Sequence, residues 1–594
     1  MTHDVEFRPT PALPRTGVPA GASVLALVDP DTDAEAFLAT ADLGTVRTLR
    51  LGRDFTAESF DDIARLVGDE DVTHVVHALA FEATPATDVE EVERRTAKNL
   101  ASLFHLSKAL MAAGVKVDLA VVTRTAVCAE EGDTTSVTEN AALVGFGKVI
   151  GREYPYIKVK HLDVDTDVPG PALAAEVFSA EHGLFLLRGS ERSREVFVEV
   201  PEVDTDGPQT YLKPGGTYLI TGGTGALGLA VARSFADKQP DITLVLLSRS
   251  GMPPREEWDD LLAAGTATDR ITTVRDLEAL GTRVFVRAAD AGDPKALTAA
   301  VTGVQQDHGR IDGIVHAAGL PGGATLMFRL REDFDEVVRV KLHGAFVLDE
   351  LTRDDRPDFV VHFSSVASVF PAPGQADYAA GNYYLDNLAR SQAGGPCHVV
   401  ALDWVAWKEI GMAVDHGTNG DTMFKALPTS VGLDVVDAAL RSRRPRLFAG
   451  ELHYRGELIH LLRSYDVPLS ADIDAKVERE MHALEERLLK ASEKIKATVA
   501  AVRVELKGRE NGEYTDVEQS VAQCLALAFG YPALDVEADF FELGGDSIMA
   551  ASVASTIAVR HGVHYDVADL LADRTISEIA YHIEELVEFA EDVA

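Results

Sequence analysis

Short unbroken apolar runs alternate with longer stretches of helical spacing through most of this chain. Runs such as Ile242 to Leu247 and Phe359 to Phe363 have no polar face, as strands buried on both sides of a parallel sheet require. The run at Thr217 to Thr221 leads into Ala226 to Asp237, where apolar residues recur at helical spacing. Strand, turn and helix in that order read as a βαβ pattern. Past residue 470 the pattern changes. Met481, Leu484, Leu488, Ala491, Ile495, Thr498 and Val502 alternate three and four apart, which predicts a long helix with a heptad stripe. Val517 to Tyr531 and Val567 to Val587 then read as short amphipathic helices.

Between the strand and the helix near residue 220 lies Thr221-Gly222-Gly223-Thr224-Gly225-Ala226-Leu227-Gly228. Its core is a G-x-G-x-x-G, whose glycines permit a tight turn, close approach of backbone N–H groups to a pyrophosphate, and close helix packing. The helix N-terminus adds partial positive charge. The next strand ends in Ser248-Arg249, where an acid would suit the ribose of NAD. A hydroxyl and a guanidinium suit the extra 2′-phosphate of NADP instead. Asp290 is placed as an adenine partner, and Ala317, Ala318 and Gly319 as small residues where the chain passes the cofactor.

Tyr378 and Asn382 stand four apart, on one helix face. Ser365, thirteen residues before the Tyr, ends an apolar run and can reach the same point from a strand tip. Hydroxyl donors at the carboxyl ends of parallel strands, beside a nucleotide turn, are what carbonyl reduction by hydride needs.

The strings TGGTGALG, LLSRSG, VHAAG, FSSVAS and GQADYAAGNYYLDNLA closely resemble the ketoreductase domain of modular polyketide synthases, a branch of the short-chain dehydrogenase/reductases. The resemblance spans roughly Ala20 to Tyr465. In that family the Asn stands four after the Tyr and the Lys lies well upstream, as Asn382 and Lys341 do here. The resemblance implies that Tyr378 gives a proton to the substrate oxygen while hydride arrives from NADPH. It implies that Ser365 binds the carbonyl, and that Asn382 holds Lys341 or a relay water. A free phenol has a pKa of roughly 10, and a nearby Lys341 cation is expected to lower it. Two stereochemical fingerprints of the family are missing: Leu320-Pro-Gly-Gly323 replaces the Leu-Asp-Asp signal, and Phe370 stands where Trp is usual. Ala401 to Leu427 resembles the lid, with Phe370, Trp404, Trp407 and Met412 as candidates for the pocket wall.

The first two hundred residues echo this half. Val72 to Glu82 parallels Ile311 to Pro321, Arg94 to Leu110 parallels the Lys341 helix, and Val117 to Gly132 parallels the Ser365 strand. The echo lacks a glycine turn and a Tyr-x-x-x-Asn, so it reads as a non-binding lobe that buttresses the second. The fold class is therefore α/β: two tandem Rossmann-like subdomains, one structural and one catalytic, then a long helix and a small all-α four-helix domain. The expected boundaries are a Pro- and Thr-rich tail at 1–20, the structural subdomain at 21–210 and the catalytic one at 211–465. A helical linker at 466–514 and the last domain at 515–594 follow.

Leu543-Gly-Gly-Asp-Ser547-Ile resembles the attachment motif of acyl and peptidyl carrier proteins, which implies 4′-phosphopantetheine on Ser547. The expected reaction is NADPH-dependent reduction of a carrier-bound β-ketoacyl thioester. An α-keto group in a depsipeptide-forming nonribosomal synthetase is the alternative, since the doubled glycine is commoner in peptidyl and hybrid carriers. A redox-silent scaffold with a working carrier is a remote third. Expected partners are a phosphopantetheinyl transferase and neighbouring megasynthase domains, with a possible homodimer through 475–505. Residues 508–516 read as a polar tether.

Lys plus Arg number 56 against 95 Asp plus Glu, a net charge of −39. So acidic a chain argues against nucleic acid and anionic membrane partners. Its three cysteines, Cys128, Cys397 and Cys524, are scattered in or beside apolar runs. They read as buried thiols of a reducing, cytoplasmic compartment with no metal cluster. The apolar runs are too short for a signal peptide or membrane span.

Overall fold

The computed structural model describes residues 3–14, 17–52, 55–201, 209–265, 268–510, 512–545 and 547–593. It divides into two compact units, Met1–Val477 and Glu478–Ala594.

The larger unit holds two sheets. In the second, seven strands run parallel in the order Arg283–Ala288, Thr243–Ser248, Thr217–Thr221, Gly313–His316, Phe359–Ser365, His398–Trp404 and Arg446–Ala449. The chain starts in the middle, builds outward to one edge, then returns to the other side. That reversal puts the carboxyl ends of Thr217–Thr221 and Gly313–His316 side by side at a crevice where doubly wound sheets bind ligands.

The first sheet repeats the plan. Thr45–Arg50, Ser23–Val28, His74–Ala78, Val117–Arg124, Ile157–Val164 and Gly183–Arg188 lie parallel in that order. Glu191–Glu199 then turns back antiparallel, and His3–Pro9 pairs antiparallel beyond it. This corrects the expected tail. His3, Val5 and Phe7 alternate with polar residues, His3 and Val5 are buried, and His3 stacks on Phe197 at 5.1 Å. A strand of seven residues beside a Pro- and Thr-rich stretch is a weak sequence signal.

Between the sheets lies a shared helical layer. Val89–Ala113 and Ala142–Glu153 come from the first lobe, Arg331–Thr352 and Ala376–Ser391 from the second, and one apolar core draws on all four. Phe334 meets Phe104 at 5.1 Å and Phe146 at 5.4 Å. Each such buried ring contributes about 1.5–3 kcal/mol. A Cβ on Gly145 would stand 2.2 Å from the Ala379 carbonyl oxygen, so only glycine lets the two helix backbones come so close. The helix carrying Tyr378 and Asn382 is thus braced by the first lobe.

The first lobe's silence has a physical cause. At the turn that follows the first lobe's strand Ser23–Val28 stands Asp29, whose carboxylate takes the ammonium of Lys98. Lys98 also reaches Glu82 at 3.1 Å, and Glu82 accepts from Asn99 and Asn140. A carboxylate at the head of the turn repels a phosphate, and the cation is already used.

In the smaller unit four helices, Asp516–Phe529, Ser547–His561, Val567–Asp573 and Ile576–Val593, pack on one core. The expected linker does not stay separate from it. Helix Ala471–Ala501 ends with Val499 buried in that core and Ile495 packed against it, and Val502 just beyond its end packs there too; Thr498 is exposed. The side chains of Leu488 and Ala491 lie outside the described residues. Glu505–Lys507 pairs parallel with Ala533–Asp535. The expected tether is tied as well, since Arg509 bonds Glu518 and its backbone N–H bonds the Tyr514 hydroxyl. Among the described residues no helix is long and apolar enough to cross a membrane.

Candidate active site

The glycine turn forms one end of a cleft of about 320 Å³. Gly222 has φ +67, and a Cβ there would stand 3.0 Å from Ala318 Cα. Gly228 would press a Cβ to 2.4 Å from the Gly222 oxygen, so helix Ala226–Lys238 can start only where this position is bare. Thr221, Gly222, Thr224, Gly225, Ala226, Leu227, Gly228, Ser248, Arg249, Asp290, Ala317, Ala318, Gly319 and Met412 all line the cleft. Gly223 does not; it packs against Leu246 and the Ile220 oxygen and serves the turn alone. Arg270, Ser250, Gly411 and Asp415 also line it. Ser250 belongs to LLSRSG and Gly411 and Asp415 to the lid segment; no motif marks Arg270, which stands on the polar helix Thr268–Ala279 and reaches the cleft only through the fold.

A chain of hydrogen bonds shapes the turn after His316. His316 Nε2 donates to the Val340 carbonyl (3.1 Å), so Nδ1 accepts from the Thr221 hydroxyl (2.8 Å). Thr221 Oγ1 in turn accepts from Ala318 N–H at 3.2 Å. Burial keeps this imidazole neutral, far below its ordinary range.

Ser365 ends its strand, accepts from Ala367 N–H (3.2 Å) and donates to the Trp404 carbonyl (3.4 Å). Asn382 donates to the Tyr378 carbonyl at 2.8 Å, and its Oδ1 is buried and accepts no hydrogen bond from the described residues. Lys341 donates to the Phe363 carbonyl, with Nζ 5.9 Å from the Tyr378 ring centre. A Cβ on Gly319 would stand 3.3 Å from that Nζ, and one on Gly381 2.9 Å from Lys341 Cβ. Glycines on both sides therefore make the slot that holds the lysine.

Burial pushes the Lys341 ammonium down to about 8, against a smaller opposing pull from Asp386. The phenol departs from expectation. Burial raises the Tyr378 pKa, and hydrogen bonding from Ser365 and Asn382 only partly offsets this. Asn382 bonds the Tyr378 backbone, not Lys341.

Three wall candidates are corrected. Phe370 is buried in an aromatic cluster with Phe197 (5.0 Å) and Tyr465 (5.1 Å). Trp404 and Trp407 are buried against each other at 5.0 Å, and Trp407 fills the space over Gly432. All three are packing residues; Met412 alone of the four faces the cleft. The lid region keeps Gly411, at φ +94, against Leu227.

In the smaller unit Gly544 takes φ +95, Gly545 lies flat on Phe540, and Ser547 opens the next helix. Asp546 and the Ser547 side chain lie outside the described residues.

Residues 216–409 match the family model described as KR domain, and residues 519–583 match the phosphopantetheine attachment site. The chain joins a ketoreductase domain to a phosphopantetheine carrier domain. Its relatives are polyketide synthases. It is 29% identical over 437 residues to a 6-methylsalicylic acid synthase of Penicillium expansum, covering 71% of this chain and 23% of the relative. It is 33% identical over 295 residues to a phenolphthiocerol/phthiocerol polyketide synthase polypeptide of Mycobacterium tuberculosis, covering 48% of this chain and 15% of the relative. The chain thus spans less than a quarter of the curated relatives' length. An A1-type ketoreductase structure superposes with TM-score 0.68 at 26% identity, covering 81% of this chain and 98% of that one. The ketoreductase belongs to the oxidoreductases, and its carrier domain is of the kind that holds substrate by a phosphopantetheine arm.

Proposed function

We propose that the chain reduces a β-ketoacyl thioester, carried on the phosphopantetheine arm of Ser547, to the hydroxyacyl thioester with NADPH. What supports this reading is a Tyr378 phenol hydrogen-bonded by Ser365 and flanked by the buried Lys341, whose Nζ lies 5.9 Å from its ring centre and against Gly319 of the glycine-turn cleft.

The cleft suits NADPH. Gly222 leaves bare backbone where a Cβ would close the turn, and Ser248 Oγ is buried without a partner among the described residues. Arg249 and Arg270 both line that end, which gives a 2′-phosphate two cations and a hydroxyl. Bound there, NADPH supplies a hydride to the carbonyl carbon. Ser365 holds the carbonyl oxygen by a hydrogen bond and polarises it. Tyr378 gives that oxygen its phenolic proton, so C=O becomes CH–OH. The Lys341 ammonium, at neutral pH, stabilises the phenolate left behind.

The arm would be installed on Ser547 by a phosphopantetheinyl transferase, and neighbouring synthase domains would supply and take the acyl chain. The test loads the carrier with β-keto and α-keto acyl groups and follows NADPH oxidation by wild type and Tyr378→Phe. Faster β-keto turnover, lost about 10²-fold or more in Tyr378→Phe, supports the proposal. Faster α-keto turnover favours a depsipeptide-type reductase, and full activity of Tyr378→Phe refutes the proton donor.

A further inference from the structure

We infer that Glu153, a residue of the lobe that binds no nucleotide, is a positioning residue for the reductase site. It ends helix Ala142–Glu153. Its Oε2 accepts from Leu326 N–H at 2.6 Å, and its Oε1 accepts from Gly374 N–H at 2.8 Å. These amides lie on two different loops of the other lobe. Leu326 belongs to the loop that follows Gly319, and Gly374 lies two residues before helix Ala376–Ser391, four before Tyr378.

A carboxylate is costly in this place. The helix C-terminus carries partial negative charge, and burial raises the Glu153 pKa, against the pull of the two amides. Two charge-assisted hydrogen bonds offset that cost, and both serve loops of the opposite lobe rather than Glu153's own helix.

What the carboxylate holds together is tightly packed. A Cβ on Gly322 would stand 2.9 Å from the Gly374 oxygen, and one on Gly374, at φ +83, 2.6 Å from the Gly323 oxygen. The same loop is fixed twice more, by Lys108 of the first lobe donating to the Arg329 carbonyl (2.7 Å) and by the Arg329–Asp377 ion pair. Leu326 itself is buried in the core shared by the lobes. Glu153 therefore sets the spacing between the loop that leaves the cofactor turn and the start of the Tyr378 helix, and through it the distance from the phenol to the reacting carbonyl.

The inference rests on Tyr378 as proton donor, so its test separates the two. Glu153→Gln is isosteric and keeps one acceptor oxygen; Glu153→Leu keeps none. Purified full-length variants are compared with wild type in kcat and KM for a ketoacyl thioester, in NADPH affinity by fluorescence, in Tm, and in amide hydrogen exchange over 320–330 and 371–377. Expected is a graded fall in kcat, about ten-fold for Gln and more for Leu, with unchanged NADPH affinity and faster exchange in both segments. A kcat equal to wild type in a folded variant overturns the inference. So does a loss of Tm or NADPH affinity with no quickening of exchange in these two segments. The exchange arm reads the brace itself even if Tyr378→Phe proves active.

Discussion

Arg329 and Asp377 form a buried ion pair, Nη2 to Oδ2 2.5 Å, one residue before Tyr378. Asp377 Oδ1 also accepts from Tyr378 N–H at 2.7 Å, so the pair grips the first turn of helix Ala376–Ser391. Burial pushes the Asp377 carboxyl up to about 6 from 3.8, outweighing the guanidinium. Folding is therefore favoured as pH falls from about 6 towards 4, where the folded state binds a proton the unfolded chain has released. Arg329→Met strands the carboxylate. It is expected to cost about 3 kcal/mol or more at neutral pH, read by urea denaturation, with the loss shrinking at pH 5. A loss independent of pH would deny the ion pair its part.

Lys341 gives the site a pH limit. With its ammonium held down to about 8, the charged form prevails at neutral pH and fades above. kcat/KM for NADPH reports the free enzyme, so it is expected to fall as pH rises through about 8. Stability moves the other way: an unfolded lysine, with pKa about 10.4, keeps its proton where the folded one has lost it, so folding gains between about 8 and 10.4. Lys341→Met should lower the rate and abolish the limb. A limb near pH 8 that survives in the variant would assign it to another group.

The parts legible in the sequence are those whose chemistry is local. The glycine turn, the strand tips and the Tyr378–Asn382 spacing fix their own geometry within a few residues; the glycine turn lines the cleft, and Lys341 lies beside it against Gly319. The aromatic assignments failed because a strand or helix position names a face, not what covers it. Phe370 is covered by Phe197, a residue of the other lobe. Glu153 and Arg270 were invisible for the same reason, since neither sits in a motif and both reach the site only through tertiary packing. Val499 takes the place of Thr498 because it completes the face that Ile495 and Val502 turn to the carrier core.

Coenzyme preference should rest on the two cleft arginines. Arg249 makes only a surface pair with Glu336, 3.4 Å apart and more than half exposed on both sides, which is worth about 0–1 kcal/mol and yields easily to a phosphate. Arg249→Ala and Arg270→Ala are each expected to weaken NADPH about ten-fold and to leave NADH unchanged, in fluorescence titrations at low salt. The gap should narrow as salt screens the charges. Equal losses for both coenzymes would place these arginines away from the 2′-phosphate.

The carrier offers a test independent of the reductase. Gly545 lies against Phe540, whose ring a Cβ would meet at 2.2 Å, and Gly544 beside it takes φ +95. Phe540 is buried in the carrier core, with Phe529 at 5.5 Å and Phe541 at 5.4 Å, so it has nowhere to retreat. A methyl at 545 must displace the ring or the turn that leads into Ser547, an overpacking cost of about 1–3 kcal/mol. Gly545→Ala is expected to lower the carrier's Tm and to slow attachment of the phosphopantetheine arm, followed as added mass after treatment with a transferase. Ser547→Ala should take up no arm. If Gly545→Ala is modified at the wild-type rate, the turn does not present the serine, and the doubled glycine serves packing alone.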